Sequence, residues 1–462
     1  MKRVFIFLLI TLQPIFSQNI VTDTIVHEVE RKETLFSISQ KYKININDIL
    51  KFNPQLRNSR LKRKSKILIP IIESIQEKTL VEKDSLPTED DLLRLDSIFV
   101  KKRKRDNQLN LSVLLPFRSN TVNYDSIEEV ESLFKDRNLY TITLDFYSGI
   151  LYAIEDLREL NVSINLNVFD TENSINKINE ISSENLVKDS DVIIGPLIPR
   201  NFETFSNIEL LESIPKVFPL STIPIKIIKG VIQSVTPKNL LRERMINYLD
   251  KNLDREENIV IIADSLNIEI ESKLSEIFPN SIKIKPEFEG YILPELLDSL
   301  LVDSLPNKVI VESEIFTLIS SVVSQLNSQI TSERDVKLYT TYRGNQYDDP
   351  SINIKDLGNL AFTYTSISKK INNDSISKFE SRYLNLFGSL PNKDVIRGYD
   401  VTKDILLRAL IDKNLNRTTK YDEQSYTESK FLYKKDSLGG LFNSSMFILR
   451  HREYDIEEII DQ

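Results

Sequence analysis

Apolar residues in this chain arrive in short runs separated by polar stretches, and their spacing predicts the elements. Residues 109–116 (LNLSVLLP) have the length and continuity of a buried strand. After a polar loop, Leu144, Tyr147, Leu151, Ile154 and Leu157 recur at helical spacing. Val162, Ile164, Leu166 and Val168 then alternate with Ser163, Asn165 and Asn167, as in a half-exposed strand near a sheet edge. Residues 191–196 (DVIIGP), a helix after Pro199, and residues 216–221 (KVFPLS) continue the alternation. Further strands are predicted over 231–235, 258–263, 309–311 and 338–341, with helical segments between them. Strand and helix in turn predict parallel sheets covered on both faces. The 355 residues from 108 to 462 suit two α/β lobes better than one.

The first 70 residues follow a different pattern. Met1, Lys2 and Arg3 precede an apolar run over residues 4–12, Pro14 breaks it, and small Ser17 precedes Gln18. This predicts a secretory signal peptide over 1–17, cleaved near Ser17, because the run is too short for the roughly 30 Å of a bilayer core. No later stretch is long enough to span, and there is no cysteine for a lipid anchor, so the expected product is exported, soluble and periplasmic. From 26 to 70 the order reads strand, helix, helix, strand. Val26 to Glu30 alternates, Thr34 can cap a helix bearing Leu35, Ile38 and Tyr42, and Asn47 can cap a second one bearing Ile49, Leu50 and Phe52. Asn53-Pro54 ends that helix, and residues 66–69 form a strand stopped by Pro70.

These residues also carry a resemblance. Glu33-Thr34-Leu35, Ile38-Ser39-Gln40-Lys41-Tyr42, residues 49–54 (ILKFNP) and Leu68-Ile69-Pro70 stand in the order and spacing of a LysM domain, placed at 25–71. The resemblance implies a βααβ module that binds N-acetylglucosamine-containing glycans, in bacteria usually peptidoglycan. By position it implies a groove formed by Lys32, Glu33, Thr34 and Leu35 with Asn53, Pro54, Gln55 and Leu56. The Gly-Asp that usually opens the first loop is Lys32-Glu33 here. Backbone donors and Gln55 would serve acetamido groups, and Leu35 and Leu56 would offer apolar walls or complete a small core. Eleven Lys/Arg face four Asp/Glu over 26–70, a net of +7 in a chain of net −8. A basic module is drawn to the carboxylates of wall peptides through a screened, salt-sensitive field. Export argues against nucleic acid as the partner of Arg60, Lys62, Arg63, Lys64 and Lys66.

Residues 72–107 are rich in Glu, Asp, Lys and Ser and read as a linker containing a helical patch at Leu92, Leu93, Leu95, Ile98 and Phe99. The run 101–105 reads as a solvated stop before the next strand, with contact to an anionic surface as its alternative. Composition narrows the chemistry. The chain has 40% hydrophobic and 28% charged residues, no cysteine and two histidines, His27 and His451. Disulfides, thiolate nucleophiles, cysteine zinc sites and multi-histidine zinc hydrolases are excluded, and no glycine-rich phosphate loop is present. A Ser-His-Asp triad would need one of the two sequence-remote histidines, and a two-carboxylate glycosidase is also left open by counting, with 68 Asp and Glu. His451, in a terminal strand after Gly439-Gly440, reads as structural.

The body, placed at 108–462, resembles the two-lobed type 1 periplasmic-binding fold of amino-acid receptors of ABC transporters. The marks are residues 113–117 (VLLPF), 145–149 (DFYSG), 169–173 (FDTEN), 194–196 (IGP), 219–222 (PLST), 259–264 (IVIIAD) and 398–401 (GYDV), in that order. The resemblance implies two doubly wound lobes with a ligand cleft between them, which Gly195, Pro196, Ser221 and Thr222 would line from the first lobe. The hydroxyl residue usual after Gly-Pro is absent from Leu197-Ile198-Pro199-Arg200, and Ser265-Leu266-Asn267 replaces the usual Asp-Tyr-Gly-like turn. Arg200 could hold an anion in its place, or serve as a solvated helix-start residue.

The expectation is therefore an exported, non-catalytic peptidoglycan-binding protein with no cofactor, no metal site and no catalytic residues. Its body would sense a ligand or dock a cell-wall protein partner, as type 1 folds that activate wall synthases do. The alternatives are a solute receptor for an amino-acid or peptide transporter and a carboxylate-dependent wall hydrolase.

Overall fold

A computed structural model describes residues 23–29, 38, 41–42, 49, 52–53, 56, 64–71, 94–102, 107–286, 290–370 and 376–460. The chain divides into two compact units, residues 1–86 and 87–462. In the first, β1 (Asp23–Glu28) pairs antiparallel with β2 (Lys66–Ile71), with Val26 opposite Leu68. The strands alternate, so Ile67 and Ile69 turn inward and join Val29, Ile38 and Ile49 in a small core that Tyr42 and Leu56 close. The buried His27 packs edge-on against the Tyr42 ring and its Nδ1 lies 2.9 Å from the Tyr42 hydroxyl.

The second unit is built on two seven-stranded sheets. The chain first lays down β3 (Gln108–Leu115), β4 (Ser163–Asp170), β5 (Val192–Ile194), β6 (Lys216–Phe218) and β7 (Val231–Gln233). It then crosses to β8 (Asn258–Ala263), β9 (Ile282–Ile284), β10 (Asn307–Glu312), β11 (Val336–Tyr339) and β12 (Thr363–Ser366). It crosses back through the short pair β13 (Gln424–Ser425) and β14 (Lys430–Phe431) to β15 (Tyr433–Lys435) and β16 (Leu441–Asn443), and crosses once more to β17 (Phe447–Arg452) and β18 (Asp455–Glu458). The sheet orders are 4-3-5-6-7-16-15 and 9-8-10-11-12-17-18. In each, the first five strands are parallel; β16 adds a sixth parallel strand to the first sheet and β15 closes it antiparallel, whereas β17 and then β18 extend the second by successive antiparallel pairs. Both lobes thus have the 2-1-3-4-5 order of a doubly wound sheet, with its switch point beside the first strand. The alternating strand β4 lies at a sheet edge, as its pattern implies.

Four helices position the site: α1 (Leu95–Lys102), α2 (Leu139–Glu159), α3 (Lys238–Asn252) and α4 (Lys393–Ile411). Of the helical patch read within the charged linker, Leu95, Ile98 and Phe99 lie on α1, which belongs to the body, and Leu92 and Leu93 lie outside the described residues. Leu95 and Phe99 are buried in the first-lobe core, and the Leu95 N–H donates to Gln424 Oε1 at 2.8 Å. In α2 the buried stripe is Phe146, Ile150, Ala153, Ile154 and Leu157, with Tyr152 also buried, whereas Leu144 is exposed. Ile154, Leu157 and the half-buried Tyr147 of the expected face do meet the core, and Phe146 and the small residues of this helix widen the buried stripe where it meets α4. Among the described residues no helix is long and apolar enough to cross a membrane.

Candidate functional site

The amino-terminal groove residues divide sharply. Lys32, Glu33, Thr34, Leu35, Pro54 and Gln55 lie outside the described residues. Asn53 is 1% exposed, and its side chain is spent on the fold. Its amide donates to the carbonyls of Ile49 and Leu68, each at 2.7 Å, and its Oδ1 accepts from the Leu68 N–H at 2.9 Å. That clamp ties the end of the second helical segment to β2. The Asn53 side chain thus holds the fold at the position where the resemblance places a groove residue. Leu56 packs against the core, which is the structural one of its two expected roles.

In the body, the four expected cleft residues stand at the carboxyl ends of β5 and β6, where the loops of a doubly wound lobe face a ligand. Gly195 has φ +94°, and a Cβ there would sit 2.2 Å from the Leu114 carbonyl oxygen, so close passage over the end of β3 demands glycine. Gly195 and Pro196 are buried, and the Gly195 N–H donates to Val217 O at 2.9 Å. Ser221 Oγ accepts from the Ile223 N–H at 3.1 Å, and Gln233 Nε2 donates to the carbonyls of Ser221 and Ile223 at 3.2 and 2.9 Å. Thr222 makes the informative contact. Its hydroxyl lies 2.9 Å from the Tyr342 hydroxyl, which follows β11 in the other lobe. Arg200 is exposed at the start of the helix Pro199–Ser206, the solvated placement.

Tyr342 is the site residue that sequence reading missed. Lys238 Nζ lies 4.4 Å from its ring centroid and the Arg242 guanidinium 5.9 Å, so two cations of α3 approach this ring. Lys238 also pairs with Glu314, and its N–H donates to Thr222 O at 2.8 Å. Beneath them lies a buried polar cluster at the carboxyl ends of β8, β10 and β11. Arg242 donates to Glu312 at 2.9 Å and Asn267 at 2.7 Å. Glu312 accepts from the Thr341 N–H at 2.6 Å and its hydroxyl at 2.8 Å, and Ser313 donates to Asp264 at 2.6 Å. Burial raises the Glu312 carboxyl above its ordinary range, against the opposing pull of Arg242. The only sequence signal for this constellation was the position of these residues just past predicted strands.

Two further ion pairs join the lobes, Lys393–Asp348 at 3.3 Å and Lys430–Glu458 at 2.7 Å. Of the loops expected to contact a small ligand, the one carrying Thr222 thus bonds across to Tyr342 and Lys238.

Residues 27–70 match the LysM domain family. No curated protein matches the chain. Among solved structures, a branched-chain amino acid ABC transporter protein from Rhodospirillum rubrum has 12% identity and a TM-score of 0.52, with 76% of this chain and all of that one covered. A branched-chain amino acid ABC transporter periplasmic ligand-binding protein from Burkholderia xenovorans has 12% identity and a TM-score of 0.50, covering 76% and 95%. These likenesses carry the fold: the body has the two-lobed type 1 periplasmic-binding architecture, and the chain carries a LysM domain in front of it.

Proposed function

We propose that this chain is a non-catalytic peptidoglycan-binding protein of the periplasm, tethered by its LysM domain, whose body docks a cell-wall protein partner. The observation that carries the reading is the LysM match over residues 27–70, with a closed apolar core beneath it. The net charge of +7 over residues 26–70 supports attraction to anionic wall material. Sedimentation with insoluble peptidoglycan tests it. The full chain is expected to pellet at low salt and less so as salt rises, and a chain lacking residues 23–71 is expected to stay in solution. Equal sedimentation of the two proteins would sink the reading.

For the body, protein docking is supported over solute capture by how the cleft residues are used. Thr222 bonds to Tyr342, and Gly195 is committed to close passage over β3. The solute-receptor reading keeps its support from the fold, which transport receptors share. The absence of cysteine supports the non-catalytic reading, as does the use of His27 and His451 inside the fold.

A further inference from the structure

The second lobe holds a cavity of about 440 Å³ at the amino ends of its parallel strands, the end of the sheet away from the cleft loops. Its lining is assembled from neighbouring strands. Lys308 of β10 is in direct register with Lys337 of β11, and β17 contributes Arg450 and Arg452. Tyr339, and Tyr248 and Asn252 from the carboxyl-terminal part of α3, line it as well, together with His451 and one carboxylate, Glu457. Like charges facing each other across adjacent strands destabilise a sheet unless something neutralises them. Three carboxylates offset the four cations in part. Glu257 stands 3.3 Å from Lys308, Asp335 3.6 Å from Lys337, and one acid, Glu457, lies 3.8 and 3.6 Å from Arg450 and Arg452. Lys308 is 6% exposed, so its charge is held away from bulk water. The Arg450 guanidinium also donates to the Tyr248 hydroxyl at 3.2 Å, which fixes its plane beside the cavity. The carbonyl end of α3 offers partial negative charge nearby, a fraction of the four cations gathered there.

We propose that this cavity binds a phosphoryl anion. A guanidinium presents paired N–H donors that match two oxygens of one phosphate, and ammonium groups add point charge. Tyr248, Tyr339 and Asn252 supply neutral donors, and the volume falls in the range of small-ligand pockets. The phosphoryl group could belong to a soluble phosphorylated compound or to a phospholipid headgroup, which share this chemistry. The inference is independent of wall binding by the amino-terminal domain.

Titration calorimetry on the full chain with inorganic phosphate and pyrophosphate, at ionic strength matched with chloride, tests it. Saturable binding is expected, tighter for pyrophosphate. It should weaken roughly tenfold or more in Lys337→Ala and in Arg452→Ala, each of which removes one charge-assisted contact. Both side chains are partly exposed, at 40% and 77%, so these variants are expected to melt with the parent. Binding of soluble phosphorylated sugars without pelleting on phosphatidylglycerol vesicles would assign a soluble source, and the reverse a lipid source. Absence of saturable heat with both anions, or unchanged affinity in both variants, overturns the proposal.

Discussion

Glu428 lies on the turn between β13 and β14, where its carbonyl accepts from the Lys369 N–H of the segment crossing between lobes at 2.9 Å. Burial, then the neighbouring Asp400 charge, pushes its carboxyl up to about 7, against the pull of Arg397. His451, on β17 beside Phe362 and Tyr364, is pushed down to about 4 by burial and then by the Arg343 charge. The two act on stability with opposite sign. Folded Glu428 retains a proton that the unfolded chain releases above its ordinary 4.5, so its contribution is present below that and lost as pH rises to about 7. Folded His451 refuses a proton that the unfolded chain takes up below its ordinary 6.5, so its contribution is present above that and lost as pH falls to about 4. Between these limits the slopes oppose. Relative to the parent, Glu428→Gln should make stability rise more steeply with pH across that window, and His451→Phe should make it rise less steeply or fall. Urea midpoints at three pH values read this directly, and curves parallel to the parent for both variants would refute it.

At the scale of elements, α2 and α4 meet glycine to glycine. A Cβ on Gly149 would lie 2.1 Å from Val395 O, and one on Gly398 would lie 2.2 Å from Phe146 O. Gly398→Ala must therefore separate two helix backbones, and overpacking of this kind costs about 1–3 kcal/mol. A thermal melt of the full chain should show a lowered body transition, and an unchanged one would mean the helices part without cost. The two glycines belong to the sequence marks at 145–149 and 398–401, nearly 250 residues apart, so motifs that were individually faint prove to be two halves of one contact. Strands with continuous apolar runs, such as β3, β8 and β10, were legible for the same reason: burial on both faces leaves few polar positions. β12 (TYTS) was not, because three of its four positions are Thr or Ser; Thr365 Oγ1 donates to the Leu241 carbonyl at 3.2 Å. Asn53 was legible as a position, but sequence shows an amide without showing that its side chain is bonded to Ile49 and Leu68. Tyr342 was invisible for a related reason, as its partners Thr222 and Lys238 lie more than 100 residues away.

At the scale of the whole body, the question is whether the two lobes work as a clamp on a small molecule or as one fixed surface. A clamp needs cleft groups left free for the ligand and a gap that closes when it arrives. Here Thr222 and Tyr342 already bond across the lobes, Lys238 and Arg242 approach the Tyr342 ring, and Lys393–Asp348 and Lys430–Glu458 tie the lobes at two further points. A double-mutant cycle on Thr222→Ala and Tyr342→Phe should therefore return a coupling of about 0.5–1.5 kcal/mol in body stability, the net worth of one hydrogen bond. The same arrangement predicts the response to solutes. A ligand at one hundred times its dissociation constant stabilises a protein by about 2.7 kcal/mol, which a melting curve resolves easily. Branched-chain amino acids, short wall peptides and muropeptides should each leave the body transition where it is, in the parent and in the Thr222→Ala variant alike. A shift with any of them that Thr222→Ala abolishes would make the body a receptor and remove the argument for a fixed docking surface. A coupling near zero without any ligand response would mean that the lobes are held by the ion pairs and the crossing segments, and would shift the test to Lys393 and Lys430.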